Sequence, residues 1–299
     1  MAIAYHLLAH KNPAQVERLF RVLYHPGDVF VLHFDRSAPR ALHTLGERLA
    51  SAHSNVRVLR PRKILWGGSA MAEVQIAAMQ AALKLGGAWT HFINLTGQDF
   101  PLKSRAEVLA RLDPARSYLT WFNPVESGLW NNARTRLTRY HLHWPWLIGL
   151  LAVPGLGRML RALCGWINQL PYVPRCSRRW PDFFVYYGGS NHVALSRVTA
   201  RYLVEAPDAV RIRRWLLPAG HSSEIVFQSV LLNSPLVDTL VNENWREIDF
   251  PMHAPNPRTF TTSDLPQLLA CPALYGRKFD EQVDAQILDK LERHISAAA

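Results

Sequence analysis

Polar residues stand at three places in the sequence where a strand ends or a helix begins, and such places suit the binding of a nucleotide. Asp35 ends the apolar run at 31–34, where an acid of a doubly wound sheet bonds a ribose or a base, although an Asp here can equally form a turn. The adjacent cations Arg277 and Lys278 can hold a phosphate or simply lie in solvent. Glu224 opens an apolar helix, where the helix dipole stabilises a carboxylate whatever the protein does.

Signatures of several common enzyme classes are absent. The chain has no glycine-rich phosphate loop, no His-Glu-x-x-His and no Gly-x-Ser-x-Gly, which counts against kinases, dehydrogenases, metalloproteases and serine hydrolases. The close histidine pairs are His6 with His10 and His141 with His143. A pair without a third ligand is more typical of structural or surface histidines than of a metal site.

Composition narrows the class of protein further. With 299 residues, 48% of them hydrophobic, the chain can bury about three quarters of its unfolded surface. Cys164, Cys176 and Cys271 are too scattered for a disulfide framework or structural zinc.

Residues 1–6 lack the features of a signal peptide, so we expect a cytoplasmic protein, which can also lie at the inner face of the membrane. The net charge of +11 allows a nucleotide diphosphate, an anionic membrane or nucleic acid as partner.

Apolar runs and helical periodicity alternate through the first hundred residues, which is typical of an α/β sheet. Asn12 before Pro13 predicts a capped helix start. The predicted order is β-α-β-β-α-β, in which ligands bind at the carboxyl ends of the strands. We predict strands at 3–9, 29–34, 56–59 and 91–95, a helix from Pro13 that ends near 25–27, and a helix at 70–85.

The rest of the chain divides into an irregular middle and a second α/β region. Trp, Pro, Arg and His crowd residues 122–182, which we interpret either as an insertion or lid or as a basic, aromatic surface resting on a membrane. The apolar run at 147–164 is interrupted by Pro, Gly and Arg, so it does not predict a spanning helix. We expect a single catalytic domain over 1–299. The later predicted elements are strands at 183–187, 193–195 and 236–241, and helices from Ser196, after Ser223 and at 283–295.

Seven short segments form an ordered pattern along the chain. They are AYHLLAHK at 4–11, VLHFD at 31–35, WGGS at 66–69, FINLTGQDFPLK at 92–103, GGS at 188–190, SE at 223–224 and YGRKFD at 275–280. Each is weak alone, but seven in order are hard to obtain by chance. Together they resemble the glycosyltransferase family of the core-2 and I-branching β-1,6-N-acetylglucosaminyltransferases and the peptide O-xylosyltransferases.

The resemblance implies a GT-A-like α/β fold that binds a UDP-sugar and transfers the sugar with inversion. Glu224 matches the general base of the family. His10 and Asp35 resemble the uridine site. Lys278, with Arg277 beside it, resembles the cation that meets the diphosphate.

Three further residues, Trp66, Asp99 and Ser190, are expected near the transferred sugar or the acceptor. Many GT-A enzymes bind a divalent metal through an Asp-x-Asp motif, which this sequence lacks; the nearest match, Glu-Ile-Asp at 247–249, is far from the strand after which that motif belongs. Fixed cations can stabilise the charge of a departing phosphate in place of a metal. We therefore predict metal-independent catalysis, with no cofactor.

The substrates stay open at this stage. Xylosyltransferase-like members tend to carry a Trp two residues after Gly-Gly-Ser, where this chain has His192. We expect N-acetylglucosamine or xylose as the sugar, a glycan or peptide as the acceptor, and peripheral membrane contact through 144–165. The alternatives are a non-catalytic nucleotide-sugar or glycan binder and a basic nucleic-acid-binding protein, for which the chain offers no recognisable motif; we expect no nucleic acid partner.

Overall fold

The computed structural model describes residues 1–65, 67–130, 133–138, 155, 159, 178–251 and 256–297. The strands are β1 (Ala2–Ala9), β2 (Val29–Phe34), β3 (Val56–Val58), β4 (Trp89–Thr96), β5 (Asp99–Pro101), β6 (Ser117–Leu119), β7 (Val193–Ser196), β8 (Leu240–Asn242), β9 (Arg246–Ile248) and β10 (Tyr275–Arg277). The helices are α1 (Pro13–Leu23), α2 (Arg40–Ala52), α3 (Ala70–Leu85), α4 (Arg105–Arg111), α5 (Ala133–Thr138), α6 (Arg197–Glu205), α7 (Pro207–Leu216), α8 (Val226–Leu232), α9 (Leu265–Ala270) and α10 (Ala285–Ala297).

A seven-stranded sheet of order β3-β2-β1-β4-β7-β6-β8 forms the centre of the protein. β3, β2, β1 and β4 run parallel, while β7 is antiparallel to β4 and to β6. Strands covered on both faces are apolar throughout, and all of β2 is buried. The predicted α/β class is therefore confirmed. A second sheet of order β5-β10-β9 lies beyond the carboxyl end of β4.

The first helix begins at Pro13 as predicted, but its cap differs from the prediction. Asn12 has a left-handed backbone and its side chain makes no capping bond. Instead, its amide donates to Oδ1 of Asp280 at 2.9 Å, and Lys11 forms an ion pair with the same carboxylate. The start of α1 is thereby tied to the segment that follows β10.

The predicted order β-α-β-β-α-β is wrong at one place, because α2 separates β2 from β3. Leu42, Leu45 and Leu49 of α2 are buried, but Gly46 interrupts their pattern and no side chain caps the helix. A Cβ at position 46 would lie 2.4 Å from the ring of Phe34. Gly46 therefore weakens the helical pattern of the sequence, and its lack of a side chain lets α2 pack closely on β2.

The strand predicted at 183–187 is also wrong. The backbone of Val185 bonds the side chain of Asn233, and that of Tyr187 bonds the hydroxyl of Ser229. Both partners lie on or just after α8, so this segment is anchored to a helix rather than to a sheet. Two other boundaries shift: β8 follows a 3-10 turn at Val237–Thr239, and the last helix begins at Ala285 rather than at 283.

Within the described ranges no helix is long and apolar enough to cross a bilayer. The described residues include only two positions, 155 and 159, of the apolar run at 147–164 and the predicted membrane contact at 144–165. Most of the predicted insertion at 122–182 also lies outside the described residues. The insertion and its membrane contact therefore stay predictions.

A buried histidine of β1 predicts a loss of stability in acid. His6 is 1% exposed, and its ring nitrogens have no hydrogen-bond partner among the described residues. Burial, reinforced by nearby His33, lowers the pKa of His6 to about 3. Because the unfolded chain binds a proton here near pH 6.5 and the folded chain does not, the free energy of unfolding should fall by about 1.4 kcal/mol per pH unit below that value.

Denaturant titrations between pH 7 and about pH 5 test this expectation. His6→Phe, which keeps an aromatic ring against Phe92, should lose about 2 kcal/mol less than the wild type over this pH range. Identical pH slopes for the two proteins would contradict a neutral, buried His6.

Candidate active site

A cleft of about 100 Å³ opens where β1 and β4 end. The carboxyl ends of parallel strands are where doubly wound sheets bind ligands. The cleft brings together His10 and Arg277, two of the predicted nucleotide-sugar-binding residues. Its lining consists of Leu8, Ala9, His10 and Lys11 after β1, Thr96, Gly97 and Gln98 after β4, Met71 of α3 and Arg277 of β10.

Asp35 lies close enough to the cleft for its charge to act on His10. Its carboxylate, however, already accepts hydrogen bonds from other residues of the protein. Oδ1 accepts a bond from the backbone N–H of Ser37 at 2.7 Å, and Oδ2 accepts one from that of Ile64 at 2.6 Å. Burial opposes ionisation, yet these hydrogen bonds lower the pKa of Asp35. The turn-forming role, which was the alternative from the sequence, is present, and the negative charge stays beside the cleft.

Arg277 and Asp99 form a buried ion pair. β10 and β5 are antiparallel with these two residues opposite each other, and Nη1 lies 3.1 Å from Oδ1. Asp99 is 0% exposed and also accepts the backbone N–H of Thr96 at 2.7 Å. Burial opposes its ionisation, but the charges of Arg277 and Arg246 lower the pKa of Asp99. The Asp99 carboxylate therefore faces protein partners, and Arg277 shares its charge with it.

Lys278 follows Arg277 across a cis peptide bond. Its side chain is half-buried, and it has no hydrogen bond or ion pair to a described residue. Its carbonyl accepts the backbone N–H of Phe260 at 2.9 Å, which fixes the backbone. Of the two predicted diphosphate-binding cations, Lys278 is the one whose charge no described acid neutralises.

Glu224 ends the 3-10 turn Ser222–Glu224, and the helix that it was predicted to open, α8, begins two residues later at Val226. Its side chain is 36% exposed, and Oε2 lies 3.0 Å from Nη1 of Arg136. Burial raises the pKa of Glu224, and Arg136 opposes the rise. A half-buried carboxylate with a raised pKa is a suitable acceptor for the proton of a hydroxyl group.

The turn that carries Glu224 packs against the Trp-Gly-Gly-Ser segment at 66–69. The backbone N–H of His221 donates to the carbonyl of Gly67 at 2.8 Å. Gly67 has a φ of +77°, and a Cβ there would lie 3.3 Å from the His221 ring. Both the backbone conformation and the close approach favour glycine, so two of the seven ordered segments meet at this contact.

The Gly-Gly-Ser segment at 188–190 connects Glu224 with the cleft. The N–H of Gly189 donates to the carbonyl of Glu224 at 2.8 Å, and two residues later the amide of Asn191 contacts the sulfur of Met71. A short segment of chain therefore links the turn that carries Glu224 to Met71, which lines the cleft. A Cβ on Gly189 would lie 1.9 Å from the carbonyl oxygen of Thr120, which explains the glycine.

Two predicted ligand contacts remain predictions. Ser190 belongs to this connecting segment, but its hydroxyl accepts the N–H of His192 at 3.2 Å and its carbonyl accepts the amide of Gln228 at 2.7 Å. Trp66 lies outside the described residues.

A second groove, of about 420 Å³, lies along the residues that precede this segment. Tyr186 joins the groove to Glu224: the Tyr186 hydroxyl is buried with no partner among the described residues, and Arg136 and Glu224 are the charges that act on it. The chain from Tyr186 to Asn191 thus runs from the groove, past Glu224, to the cleft. The groove is lined by Asn123, Val125, Glu126, Arg134, Trp180, Pro181, Phe184, Val185 and Tyr186.

Sequence reasoning did not assign Arg136 or Tyr186 to the site. Arg136 lies on the six-residue α5, with its guanidinium 4.1 Å from the ring centroid of Trp130. It pairs with Glu224 across 88 positions, and a pairing at that separation leaves no local pattern. The available signal was the basic and aromatic crowding near 134–139, which also suits a nucleic acid.

No group of three or more His, Cys, Asp and Glu side chains that could hold a metal occurs in the described part of the chain. In the Glu-Ile-Asp triplet, Asp249 pairs with Arg258 at 2.7 Å and Glu247 accepts a bond from Gln267. Metal independence stays a prediction.

Comparisons with known proteins bear on the family. The sequence profile of the family described as Core-2/I-Branching enzyme matches residues 3–148. Xylosyltransferase 2 of Canis lupus familiaris is 28% identical over 318 aligned positions, which cover 98% of this chain and 33% of the relative. Xylosyltransferase 1 of Homo sapiens is 26% identical, with 98% and 30% covered. The chain therefore spans about a third of the length of these relatives.

Two solved glycosyltransferase structures are weakly similar. The galactosyltransferase LgtC gives a TM-score of 0.41 at 7% identity, covering 98% of this chain and 96% of that one. The bifunctional glycosyltransferase WbbM gives 0.43 at 11% identity, with 99% and 51% covered. The profile match and the xylosyltransferase alignments along nearly the whole sequence make the chain similar to the glycosyltransferase family of the core-2/I-branching enzymes and the xylosyltransferases.

Proposed function

We propose that the protein is a metal-independent, inverting glycosyltransferase that moves N-acetylglucosamine or xylose from a UDP-sugar to a hydroxyl group of a glycan or peptide. The observation that carries the proposal is Glu224, a half-buried carboxylate with a raised pKa, whose backbone bonds the segment at 188–191 that also contacts the cleft residue Met71. The similarity to these glycosyltransferases supports sugar transfer, and the position of the cleft supports nucleotide binding.

In the proposed reaction Glu224 takes the proton of the acceptor hydroxyl while the hydroxyl oxygen attacks the anomeric carbon. The bond between that carbon and the β-phosphate oxygen breaks, and its electron pair leaves with UDP. Attack from the opposite face inverts the configuration, so an α-linked donor gives a β-linked product. The raised pKa makes Glu224 a stronger base than an ordinary surface carboxylate.

The donor would lie along the cleft, with its nucleoside near His10 and Asp35 and its diphosphate at Lys278. Negative charge grows on the β-phosphate as the bond to the sugar breaks, and a fixed ammonium group stabilises that charge. Arg277, which shares its charge with Asp99, mainly holds the strand that places Lys278.

The acceptor would lie in the groove that ends at Tyr186. Trp180 is 41% exposed there, and Glu126 and Arg134 add polar groups. A mostly apolar groove with a few directed polar groups is the usual form of a small-ligand site. An acceptor in this groove would meet Glu224 on the side opposite to the donor.

A donor panel tests the proposal. UDP-N-acetylglucosamine, UDP-xylose, UDP-glucose and UDP-galactose are offered in turn, and UDP release is measured with and without EDTA. We expect release with N-acetylglucosamine or xylose as the donor sugar, at the same rate in EDTA. A flat response to all four donors would overturn the assignment, while activity lost in EDTA and restored by Mn²⁺ would overturn metal independence alone.

A non-catalytic binder of nucleotide-sugars or glycans is the second candidate. The ion pair between Glu224 and Arg136 favours it, because a paired carboxylate is a weaker base than a free one. A protein that binds UDP in the cleft but releases none from any donor would fit this candidate.

A further inference from the structure

One face of α7 carries cations and aromatic rings. An open groove of about 460 Å³ runs along it, and Arg211 and Arg214 are exposed there. The α7 residues of the groove follow the spacing i, i+3, i+4, i+7 and i+8, which places them on one stripe of the helix. We call this surface the α7 face; it consists of Pro207, Val210, Arg211, Arg214 and Trp215, with Phe183 opposite.

An aromatic ring of the α7 face contacts the cation Arg211, and another contacts the neighbouring Arg178. The guanidinium of Arg211 lies 4.3 Å from the ring centroid of Phe183, and that of Arg178 lies 3.6 Å from the ring centroid of Trp215. A guanidinium that stacks on a ring can still direct its N–H groups outward, in the geometry that phosphate oxygens accept.

Two acids are sequence neighbours of this face: Asp182, which is exposed beside Phe183, and Asp208, which follows Pro207. Asp208 is the one acidic residue of α7, lies outside the stripe and accepts a bond from the hydroxyl of Tyr202. Neither Arg211 nor Arg214 forms an ion pair with a described residue. The α7 face therefore presents two exposed arginines that no described acid pairs with.

We propose that the α7 face docks the protein on an anionic lipid bilayer. The arginine N–H groups meet lipid phosphates, and the half-buried rings of Phe183 and Trp215 reach the boundary between headgroups and acyl chains, as basic and aromatic residues do on peripheral membrane proteins. An open groove suits a surface better than a small soluble anion, which an enclosed pocket would hold. This docking does not depend on sugar transfer, and it does not use residues 144–165.

Vesicle co-sedimentation tests the proposal. The full chain is mixed with vesicles of phosphatidylglycerol and phosphatidylcholine, or of phosphatidylcholine alone. We expect binding to the anionic vesicles only, and a loss of roughly 30-fold in Arg211→Gln/Arg214→Gln, since each cation near such a surface contributes about fivefold. The matched control is Arg40→Gln/Arg57→Gln, which removes the same charge from two exposed residues on α2 and β3 and should bind like the wild type.

Three outcomes would overturn the proposal. Equal losses in the two double variants would mean that net charge alone drives binding. Undiminished binding of Arg211→Gln/Arg214→Gln would place the contact elsewhere. Displacement from the vesicles by inorganic phosphate, beyond the effect of chloride at equal ionic strength, would assign the α7 face to a small soluble anion. Circular dichroism and thermal unfolding check that all the variants are folded, and because no transfer is measured, failure here leaves the proposed activity untouched.

Discussion

Glu224→Gln is expected to lose about 10³-fold in kcat while UDP binds with nearly unchanged affinity. The amide has the shape of the carboxylate and its oxygen can still accept a bond from Arg136, but it cannot take the proton of the acceptor hydroxyl. UDP release with the preferred donor gives kcat, and isothermal titration with UDP gives the affinity.

The matched control for this variant is Glu205→Gln. Glu205 is an exposed residue at the end of α6 with no hydrogen bond to a described residue, so its loss should leave kcat as in the wild type. A Glu224→Gln protein with near wild-type kcat would assign the base to another residue. A parallel loss of UDP affinity would mean that Glu224 supports the cleft instead.

Asp99→Asn is expected to lower the free energy of unfolding by about 3–5 kcal/mol. The carboxylate is fully buried and neutralises Arg277 directly, with the charge of Arg246 acting on it as well. A neutral amide keeps the volume but leaves these arginines without a compensating charge. Denaturant unfolding at neutral pH measures the change.

Two further variants test whether the loss of stability in Asp99→Asn comes from uncompensated arginine charge. Asp238→Asn removes an exposed carboxylate and should change stability by less than about 0.5 kcal/mol. Adding Arg277→Gln to Asp99→Asn should recover part of the loss, since it removes one of the uncompensated charges. A loss below about 1 kcal/mol in Asp99→Asn would contradict a buried, ionised Asp99.

Local sequence patterns predicted the strands and helices that have a regular apolar pattern or clear end signals. The strands at 3–9, 29–34 and 91–95 are continuous apolar runs, and α1 and α3 have clear ends, so each was visible in the sequence. α2 was missed although Leu42, Leu45 and Leu49 repeat at helical spacing, because Gly46 interrupts the pattern and no side chain caps the helix. Strands of three residues such as β5, β9 and β10 are too short for any periodicity, and their pairing joins distant parts of the chain.

The site residues divide in the same way, into those that a local motif marks and those whose role depends on contacts between distant parts of the chain. The resemblance singled out Glu224, His10, Arg277 and Lys278, and the structure places His10 and Arg277 on one cleft. It did not indicate that Asp99 engages Arg277 or that Arg136 engages Glu224. Both pairs depend on strand register and helix placement, which a single sequence does not encode locally.

The register of Asp99 opposite Arg277 joins residues 178 positions apart, and this has a consequence for synthesis on the ribosome. β1, β2 and β4 can pair once about a third of the chain has emerged, because domains form from the amino-terminal side during translation. The cleft gains its Arg277 wall only when β10 has also emerged. Pairing of the first strands and completion of the cleft are thus separated by the time needed to translate the residues between β4 and β10.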